Sequence, residues 1–249
     1  MSEPQRRRAR KPDEIRSSRM RQVALGYRLL AAQRWGDLGD GHISARDPEQ
    51  KDAFWMLRLG VSYHRATVDD LVLVGPDGKI LAGKGSINMA GYFIHQPILE
   101  ARPEAVSACH VHTGWGTPFS AQARPIEPIS QESTVFFEDH AIFDDEEVQV
   151  LSTAGGSRIA DALGSNRAII LRNHGLLTVG ERVDAAVGSF VLMERVAEVH
   201  MKVSEAKPIS AASARQARDD LNRLQSARGA FWSMVERHIE DPGVVEAAS

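Results

Sequence analysis

The hydrophobic positions near the start of the chain follow a helical repeat. Between residues 14 and 35 the apolar side chains recur mostly at steps of three and four, which places them on one side of an amphipathic helix. They are Ile15, Met20, Val23, Ala24, Tyr27, Leu30 and Ala31. Gly36 and Gly39 follow, and glycine commonly ends helices because it adopts backbone angles that other residues avoid. The pattern therefore predicts a helix that ends before Gly36.

Short runs of apolar and β-branched residues in the middle of the chain predict strands. The predicted strands are residues 55–59, 71–74, 79–81, 105–111, 168–171 and 176–179. The turn residues Gly75-Pro76-Asp77-Gly78 join two of them as a hairpin. Helical patterns lie between and after the strands, at residues 88–101, 147–163 and 183–203. This order of hairpins and crossovers predicts an α/β fold with a mixed sheet between helices.

The two ends of the chain differ from its middle. Residues 1–13 contain the basic cluster Arg6-Arg7-Arg8-Ala9-Arg10-Lys11 and few apolar groups to bury, which predicts a disordered basic tail. Residues 14–210 are predicted to form the α/β domain, and residues 211–249 a C-terminal helix and tail. Apolar residues recur at helical spacing from 213 to 240. Two interpretations of this helix remain open, packing on another subunit or packing on its own domain.

Composition narrows the class of partner. The chain of 249 residues has 30 lysines and arginines against 33 aspartates and glutamates, so its net charge calls for neither nucleic acid nor an anionic membrane. Cys109 is the only cysteine and cannot form an intramolecular disulfide. No stretch approaches the roughly 20 apolar residues that span a bilayer. We therefore expect a cytoplasmic protein that acts on a small molecule, without a membrane or nucleic-acid partner.

Three histidines lie where two apolar runs end. His110 and His112 close the run that begins at Val106, and side chains two residues apart on a strand point to the same face. His174 follows the run 168–171 in the same way. The two histidines of a His-x-His pair near a strand end are more often surface residues or satisfied core residues than metal ligands. The matching third histidine favours a metal site. Three imidazoles can hold a divalent cation and leave at least one coordination position open.

Three segments together resemble the signature blocks of the class II aldolase/adducin superfamily, over about Arg21 to Lys202. They are Asp40-Gly41-His42-Ile43-Ser44-Ala45-Arg46-Asp47-Pro48, Ala101-Arg102-Pro103 with His110-Val111-His112-Thr113, and Arg172-Asn173-His174-Gly175-Leu176-Leu177-Thr178-Val179-Gly180. The resemblance implies a three-layer α-β-α fold with a central mixed β-sheet. It also implies a divalent metal on His110, His112 and His174, usually zinc, with iron(II) or manganese(II) as alternatives. It further implies a homotetramer with active sites between subunits.

The chain departs from the sugar-phosphate aldolases of that superfamily at their catalytic residues. Those enzymes carry a glutamate, which serves as metal ligand and general base, four residues before the position of His95; this chain has Gly91 there. Their pair of phosphate-binding hydroxyl residues is replaced by Met89 and Ala90. The closest ionisable residue to the position of their product-protonating tyrosine is Glu132. Aldolase activity therefore does not follow from the resemblance.

The missing base favours decarboxylation, because the leaving carbon dioxide itself releases the electrons. We therefore predict a metal-dependent carbon–carbon lyase, of decarboxylase or aldolase type, for a small unphosphorylated oxo-, hydroxy- or aromatic acid. Superfamily members without the glutamate are associated with decarboxylation of aromatic acids, and a few with oxidative decarboxylation. Two alternatives remain open. One is a non-haem iron(II) oxygenase on the same fold, and the other is a non-catalytic scaffold or binding domain like that of adducin.

Further residues are predicted to complete the site. Glu132 is a candidate acid or base, and His95, on the helix after Asn88, is a candidate hydrogen-bond donor to the reaction. His42 replaces the asparagine of the aldolases' phosphate loop. The predicted substrate contacts are His42, Ser44, Asn88 and Trp115. The alternative for His95 is a structural histidine in a helix, and the alternative for Glu132 is a solvated surface charge.

Overall fold

The computed structural model describes residues 10–36 and 38–246, so residues 1–9 of the predicted basic tail lie outside the described residues. The helices are α1 (Pro12–Ala32), α2 (Met89–Ala101), α3 (Gly116–Ser120), α4 (Thr153–Leu163), α5 (Val183–Lys202), α6 (Ala211–Arg223) and α7 (Ser226–His238). The strands are β1 (Gly41–Arg46), β2 (Phe54–Leu57), β3 (Leu71–Val74), β4 (Ile80–Ala82), β5 (Ser107–Val111), β6 (His140–Phe143), β7 (Ala168–Leu171) and β8 (Gly175–Gly180). Among these helices none is long and apolar enough to cross a membrane.

The eight strands form one sheet in the order β4-β3-β2-β1-β5-β8-β7-β6. The β6–β7 pair is parallel and the other neighbouring strands are antiparallel, so the predicted mixed sheet is confirmed. β1 was not among the predicted strands, although polar and apolar residues alternate along it as they do in a half-buried strand. In the fold both the polar and the apolar residues of β1 are buried from Gly41 to Ala45. The polar side chains of β1 therefore lie inside the protein and are available to build a site.

Helices cover both faces of the sheet, which confirms the three-layer α-β-α architecture. One face, which includes Ile43, Cys109 and Val111, packs against α1 and α5, and α7 packs against these two helices. The opposite face, which includes Ala108 and Leu177, packs against α2 and α4. The alternation of side chains along β5 divides its residues between the two layers. His110 consequently points towards the α2 side of the sheet.

The ends of α1 and α2 follow from local chemistry. α1 begins at Pro12, earlier than predicted, because proline has no N–H to lose in the first helical turn. α2 begins after Asn88, whose side-chain Oδ1 accepts hydrogen bonds from the backbone N–H groups of Ala90 at 3.0 Å and Gly91 at 3.4 Å. The helix continues through Pro97 to Ala101. Asn88 therefore sets where the helix that faces the sheet begins.

The single helix expected near the C-terminus is two helices, α6 and α7. They are separated at Gln225, whose φ of 55° is left-handed. Phe231 and Val235 of α7 are buried in the same core as α1 and α5. A Cβ on Gly188 of α5 would lie 1.8 Å from the backbone oxygen of Ala227, so the two helices are in close contact. Of the two interpretations left open, packing on the chain's own domain is the one seen in this structure for α7.

Candidate metal centre

The sheet and one turn bring three histidine rings together. His110 is on β5, His112 follows the end of that strand, and His174 is in the turn between β7 and β8. One nitrogen of each ring lies within 4.8 Å of the corresponding nitrogens of the other two. The ring centroids are 4.8 to 5.2 Å apart. The three histidines that the sequence singled out are therefore neighbours, arranged so that they can converge on one ion.

The other nitrogens of two rings are oriented by neighbouring groups. His110 Nδ1 lies 2.8 Å from the carbonyl oxygen of Leu176, to which it can donate, and this leaves Nε2 for an ion. His112 Nδ1 is 3.5 Å from Asp40 Oδ2, while Asp40 Oδ1 is buried with no hydrogen-bond partner among the described residues. Metal-binding histidines commonly hold their second nitrogen on a carbonyl or a carboxylate in this way. The donor set and its surroundings fit a divalent cation.

A tight turn presents His174 to the other two rings. The backbone N–H of His174 donates to the carbonyl oxygen of Leu171 at 3.0 Å, and Asn173 adopts a left-handed φ of 57°. Asparagine tolerates that conformation better than most residues. A Cβ on Gly175 would lie 3.3 Å from His110 Cε1. Glycine at this position therefore lets the turn that carries His174 come close to the His110 ring. The left-handed backbone at Asn173 and the short distance from Gly175 to His110 thus explain why asparagine and glycine flank His174.

Burial keeps the rings of His110 and His174 neutral. Desolvation and the neighbouring imidazoles of His174, His42 and His112 hold the pKa of His110 well below its ordinary value. Burial, together with His112, lowers the pKa of His174 to about 4. A histidine binds a metal ion through the lone pair of its neutral form. At neutral pH these two rings are already in that form.

The three rings form part of the wall of a cavity of about 340 Å³, called here the histidine cavity. Its lining combines polar groups with apolar side chains. The lining includes His42, Asp40, Asn88, Ile94, Thr117, Val148 and Val150. The lining residues, all in the described part of the chain, include no lysine or arginine. A larger cleft of about 530 Å³, the side cleft, shares Gly41, His42 and Asn88 with it.

His42 and His95 are in contact behind the three histidines. His42 pairs with His110 across β1 and β5, and its Nδ1 lies 2.7 Å from Nε2 of His95. His95 Nδ1 in turn lies 2.6 Å from Ser44 Oγ. His95 and Ser44 are fully buried, and burial lowers the pKa of His95 to about 3. His95 therefore contacts His42, Ser44 contacts His95, and neither residue is among those that line the histidine cavity. The catalytic role of His95 and the substrate-binding role of Ser44 stay predictions.

Gly91, at the start of α2, lies directly beside the His42 ring. A Cβ on Gly91 would be 2.8 Å from His42 Cδ2 and 2.9 Å from its Cγ. These distances are shorter than van der Waals contact, so the ring occupies the space that a larger residue 91 would need. Glycine at this position is the condition for the observed placement of His42.

The remaining predicted residues lie in three different settings. Asn88 lines both the histidine cavity and the side cleft, and its role as a substrate contact stays a prediction. Trp115 does not line either cavity, and Lys202 Nζ lies 5.0 Å from the centre of its ring. Glu132 is on a short 3₁₀-helix with Oε1 3.9 Å from Arg195 Nε, and it also lines neither cavity. Trp115 and Glu132 therefore lie outside the lining of both cavities of the single chain, and their roles in the site stay predictions.

Sequence reasoning missed a buried carboxylate that supports the site. Glu194 of α5 is 3% exposed and accepts hydrogen bonds from Thr113 Oγ at 2.5 Å and from the backbone N–H groups of Trp115 at 3.0 Å and Gly116 at 2.7 Å. Burial raises the pKa of Glu194 above its ordinary value. The segment that it binds begins one residue after His112. The available signal was an acidic residue within the apolar stripe of a predicted helix.

Comparisons with known proteins agree with this geometry. The family described as Class II Aldolase and Adducin N-terminal domain matches residues 21–201. The chain is 40% identical over 179 residues to a 4-hydroxy-3-prenylphenylpyruvate oxygenase/4-hydroxy-3-prenylbenzoate synthase from Streptomyces roseochromogenus subsp. oscitans, covering 70% of this chain and 65% of that protein. It is 40% identical over 162 residues to Decarboxylase NovR from Streptomyces niveus, covering 65% and 60%. The chain thus spans less than two thirds of the length of either relative.

Among solved structures, the fold is similar to that of an L-fuculose 1-phosphate aldolase from Glaciozyma antarctica PI12. The TM-score is 0.83 and the sequences are 30% identical, with 94% of this chain and 93% of that chain covered. The similarity therefore extends over nearly the whole length of both chains.

Proposed function

We propose, because the chain belongs to the class II aldolase/adducin family, that it is a metal-dependent lyase that decarboxylates a small unphosphorylated oxo-, hydroxy- or aromatic acid. The observation that carries the proposal is the convergence of His110, His112 and His174 on one cavity. Residue 91 is a glycine without a carboxylate, and the His42 ring fills the space beside it. The name of one relative, Decarboxylase NovR, is consistent with this reaction class.

His110, His112 and His174 are the residues that would hold the metal, and zinc is the ion that we propose, with iron(II) or manganese(II) as alternatives. When bound, the cation would polarise a carbonyl or carboxylate oxygen of the substrate. The carbonyl of Leu176 and the carboxylate of Asp40 orient two of the imidazoles. The buried apolar side chains of Ile94 and Val150 would exclude water from their side of the substrate.

The cavity does not suit a phosphorylated sugar. Its lining residues, all within the described chain, offer no lysine or arginine to pair with a phosphate dianion. Met89 and Ala90, at the start of α2, have no side-chain hydroxyl or amide that could donate to phosphate oxygens. A volume of about 340 Å³ lies at the small end of the range for ligand pockets. These features favour a compact monoanionic acid.

Decarboxylation suits a site in which no carboxylate base stands at residue 91. When the bond to the carboxyl carbon breaks, its electron pair stays with the remaining substrate and carbon dioxide leaves. No group must first remove a proton from carbon, and the reaction ends when the substrate carbon takes up one proton. Aldol cleavage, in contrast, requires a base for the hydroxyl proton. Gly91 supplies none.

Oxidative decarboxylation by an iron(II) site is the second candidate. It is favoured by the relative that is named an oxygenase and is 40% identical over 179 residues. Three neutral histidines can also bind iron(II) and leave positions for other ligands. The two functions differ in their need for oxygen, which makes them separable by experiment.

The test begins with elemental analysis of protein purified without chelators. The protein is then loaded separately with zinc, manganese(II) or iron(II), and carbon dioxide release from 2-oxo acids and hydroxybenzoic acids is measured with and without oxygen. We expect carbon dioxide release that does not consume oxygen. Release that requires iron(II) and oxygen would replace the lyase by the oxygenase. Rapid cleavage of L-fuculose 1-phosphate would contradict the exclusion of sugar phosphates, and protein that binds no metal would instead support a scaffold role.

We also propose that the chain assembles as a homotetramer, as its family resemblance implies. Large apolar side chains on the surface of the single chain support assembly, among them Leu38, Leu151 and Leu224, which are 91%, 55% and 77% exposed. Burial of such side chains between subunits would stabilise the oligomer. Light scattering during gel filtration tests this proposal, and a monomer at micromolar concentration would contradict it.

A further inference from the structure

A line of hydrogen bonds leads from the buried interior to the histidine cavity. Ser44 Oγ lies 2.6 Å from His95 Nδ1, and His95 Nε2 lies 2.7 Å from His42 Nδ1. Ser44 and His95 are fully buried, whereas the His42 ring lines both the histidine cavity and the side cleft. The three side chains therefore connect the fully buried hydroxyl group of Ser44 to the His42 ring, which lines the histidine cavity.

The direction of these hydrogen bonds follows from counting hydrogens. A neutral imidazole carries one N–H, and burial among other imidazoles keeps both rings neutral. In residues 10–36 and 38–246, the Ser44 hydroxyl has no hydrogen-bond partner other than His95. Its hydrogen is therefore donated to His95 Nδ1, His95 donates its own hydrogen from Nε2 to His42 Nδ1, and His42 carries its hydrogen on Nε2.

The opposite direction is disfavoured because it leaves a buried donor without an acceptor. If His95 Nδ1 donated to Ser44, the hydroxyl hydrogen of Ser44 would have no acceptor in the described chain. The desolvation of an unpaired hydroxyl disfavours that arrangement by roughly ten- to a hundredfold. The buried serine thus selects one of the two histidine tautomers.

We propose that Ser44 and His95 are positioning residues that hold His42 in the tautomer with hydrogen on Nε2, and that this N–H donates to the carboxylate of the substrate. The proposal rests on the proposed function, because it names how the acid is recognised. The His42 ring is 4.9 Å from that of His110, so the donor is next to the three histidines. No described residue is hydrogen-bonded to His42 Nε2, which leaves this group for a ligand.

The surroundings of His42 define the class of substrate. A single neutral donor suits a carboxylate oxygen, whereas a phosphate dianion would call for cations that the lining of the histidine cavity, as far as it is described, does not contain. Gly91 leaves the His42 ring its place, since a Cβ there would be 2.8 Å from the ring. The predicted specificity is therefore for small carboxylic acids over phosphorylated compounds.

The tautomer is tested directly by nitrogen-15 NMR of histidine-labelled, metal-free protein. We expect His42 to carry hydrogen on Nε2 in the wild type, and a mixture of tautomers in Ser44→Ala. Ser107→Ala is the matched control, because Ser107 is a buried serine on the adjacent strand, paired with Ala45, whose Oγ has no hydrogen-bond partner among the described residues. That variant should keep the wild-type tautomer. A His42 ring with its hydrogen on Nδ1 in the wild type would overturn the proposal.

Recognition of the carboxylate is tested by calorimetric titration of zinc-loaded protein with benzoate and pyruvate. We expect His42→Ala to weaken binding by roughly ten- to a hundredfold, the worth of a hydrogen bond to a charged group, while zinc content stays unchanged. His42→Gln, which keeps an N–H donor, should recover part of the affinity. Unchanged affinity in His42→Ala, or a wild type that binds neither acid, would overturn the proposal.

The two proposals fail in different ways. If the tautomer and acid binding are as expected but no acid loses carbon dioxide, the lyase function fails and the role of His42 in binding stands. If carbon dioxide is released equally well by the wild type and His42→Ala, the lyase function stands and the role of His42 fails.

Discussion

Replacing His174 by alanine is the sharpest test of the metal site. Four-ligand zinc sites in proteins bind with apparent free energies of about 10–16 kcal/mol, or about 2.5–4 kcal/mol per ligand. Loss of one ligand should therefore weaken zinc binding about a hundredfold to a thousandfold. His174 is the best choice among the three histidines, because it is partly exposed, lies in a turn, and makes no side-chain hydrogen bond within the described residues.

The fold of the variant should survive, which keeps the result interpretable. Its metal-free unfolding free energy should stay within about 1 kcal/mol of the wild type, because no buried hydrogen bond is lost. Competition titration with a chromophoric chelator measures zinc affinity, and urea unfolding in a strong chelator measures stability. His238→Ala removes an exposed histidine of α7 and serves as the control. A His174→Ala protein that keeps a full equivalent of tightly bound zinc would refute the assignment of His174 as a ligand.

Three further predictions concern the supporting structure. Burial lowers the pKa of His95 to about 3, below the ordinary value of 6.5. Between these two pH values the ring is neutral in the folded protein and takes up a proton when the protein unfolds. Its contribution to the unfolding free energy is therefore complete above pH 6.5 and is lost as the pH falls towards 3. Urea unfolding of metal-free protein should show a loss of at least about 1.4 kcal/mol per pH unit below pH 6, because the buried rings of His110 and His174 also have lowered pKa values and add to the slope from His95. A flat profile in that range would contradict the prediction. Gly91→Ala should destabilise the protein by about 1–3 kcal/mol, because its methyl group would displace the His42 ring, and a gain in thermal stability would show that the ring is not held there. Phe231→Ala should cost about 3–5 kcal/mol in urea unfolding, since Phe231 is fully buried in the chain's own core; a weaker oligomer with unchanged subunit stability would argue instead for an intersubunit role.

The sequence by itself was enough to identify the three histidines as a group. Side chains two residues apart on a strand share a face, so the convergence of His110 and His112 is a local property of β5. His174 could be added because it follows a second apolar strand, and strand ends often carry functional groups. The helices of both layers and most of the strands were likewise predictable, because their apolar periodicity is local.

The environment of the histidines depended on tertiary structure. His42 lies beside His110 because β1 pairs with β5 in one particular register, and register between strands distant in sequence is not written in local periodicity. His95 reaches His42 because α2 packs across that part of the sheet. The same residues read alone suggested separate contacts with substrate. Their arrangement as a line of hydrogen bonds, and the need for Gly91 beside it, appears only in the fold.

Long-range packing also decided which charges and aromatic rings stay away from the cavity. Trp115 follows His112 by three residues, yet its ring lies against Lys202 of α5. Glu132 also lies at α5, where it faces Arg195. Glu194 is distant in sequence, yet α5 brings its carboxylate to the segment after His112. Sequence patterns determine which face of an element is apolar. Which elements meet, and therefore which polar groups share a buried site, is settled by how the helices and strands pack together.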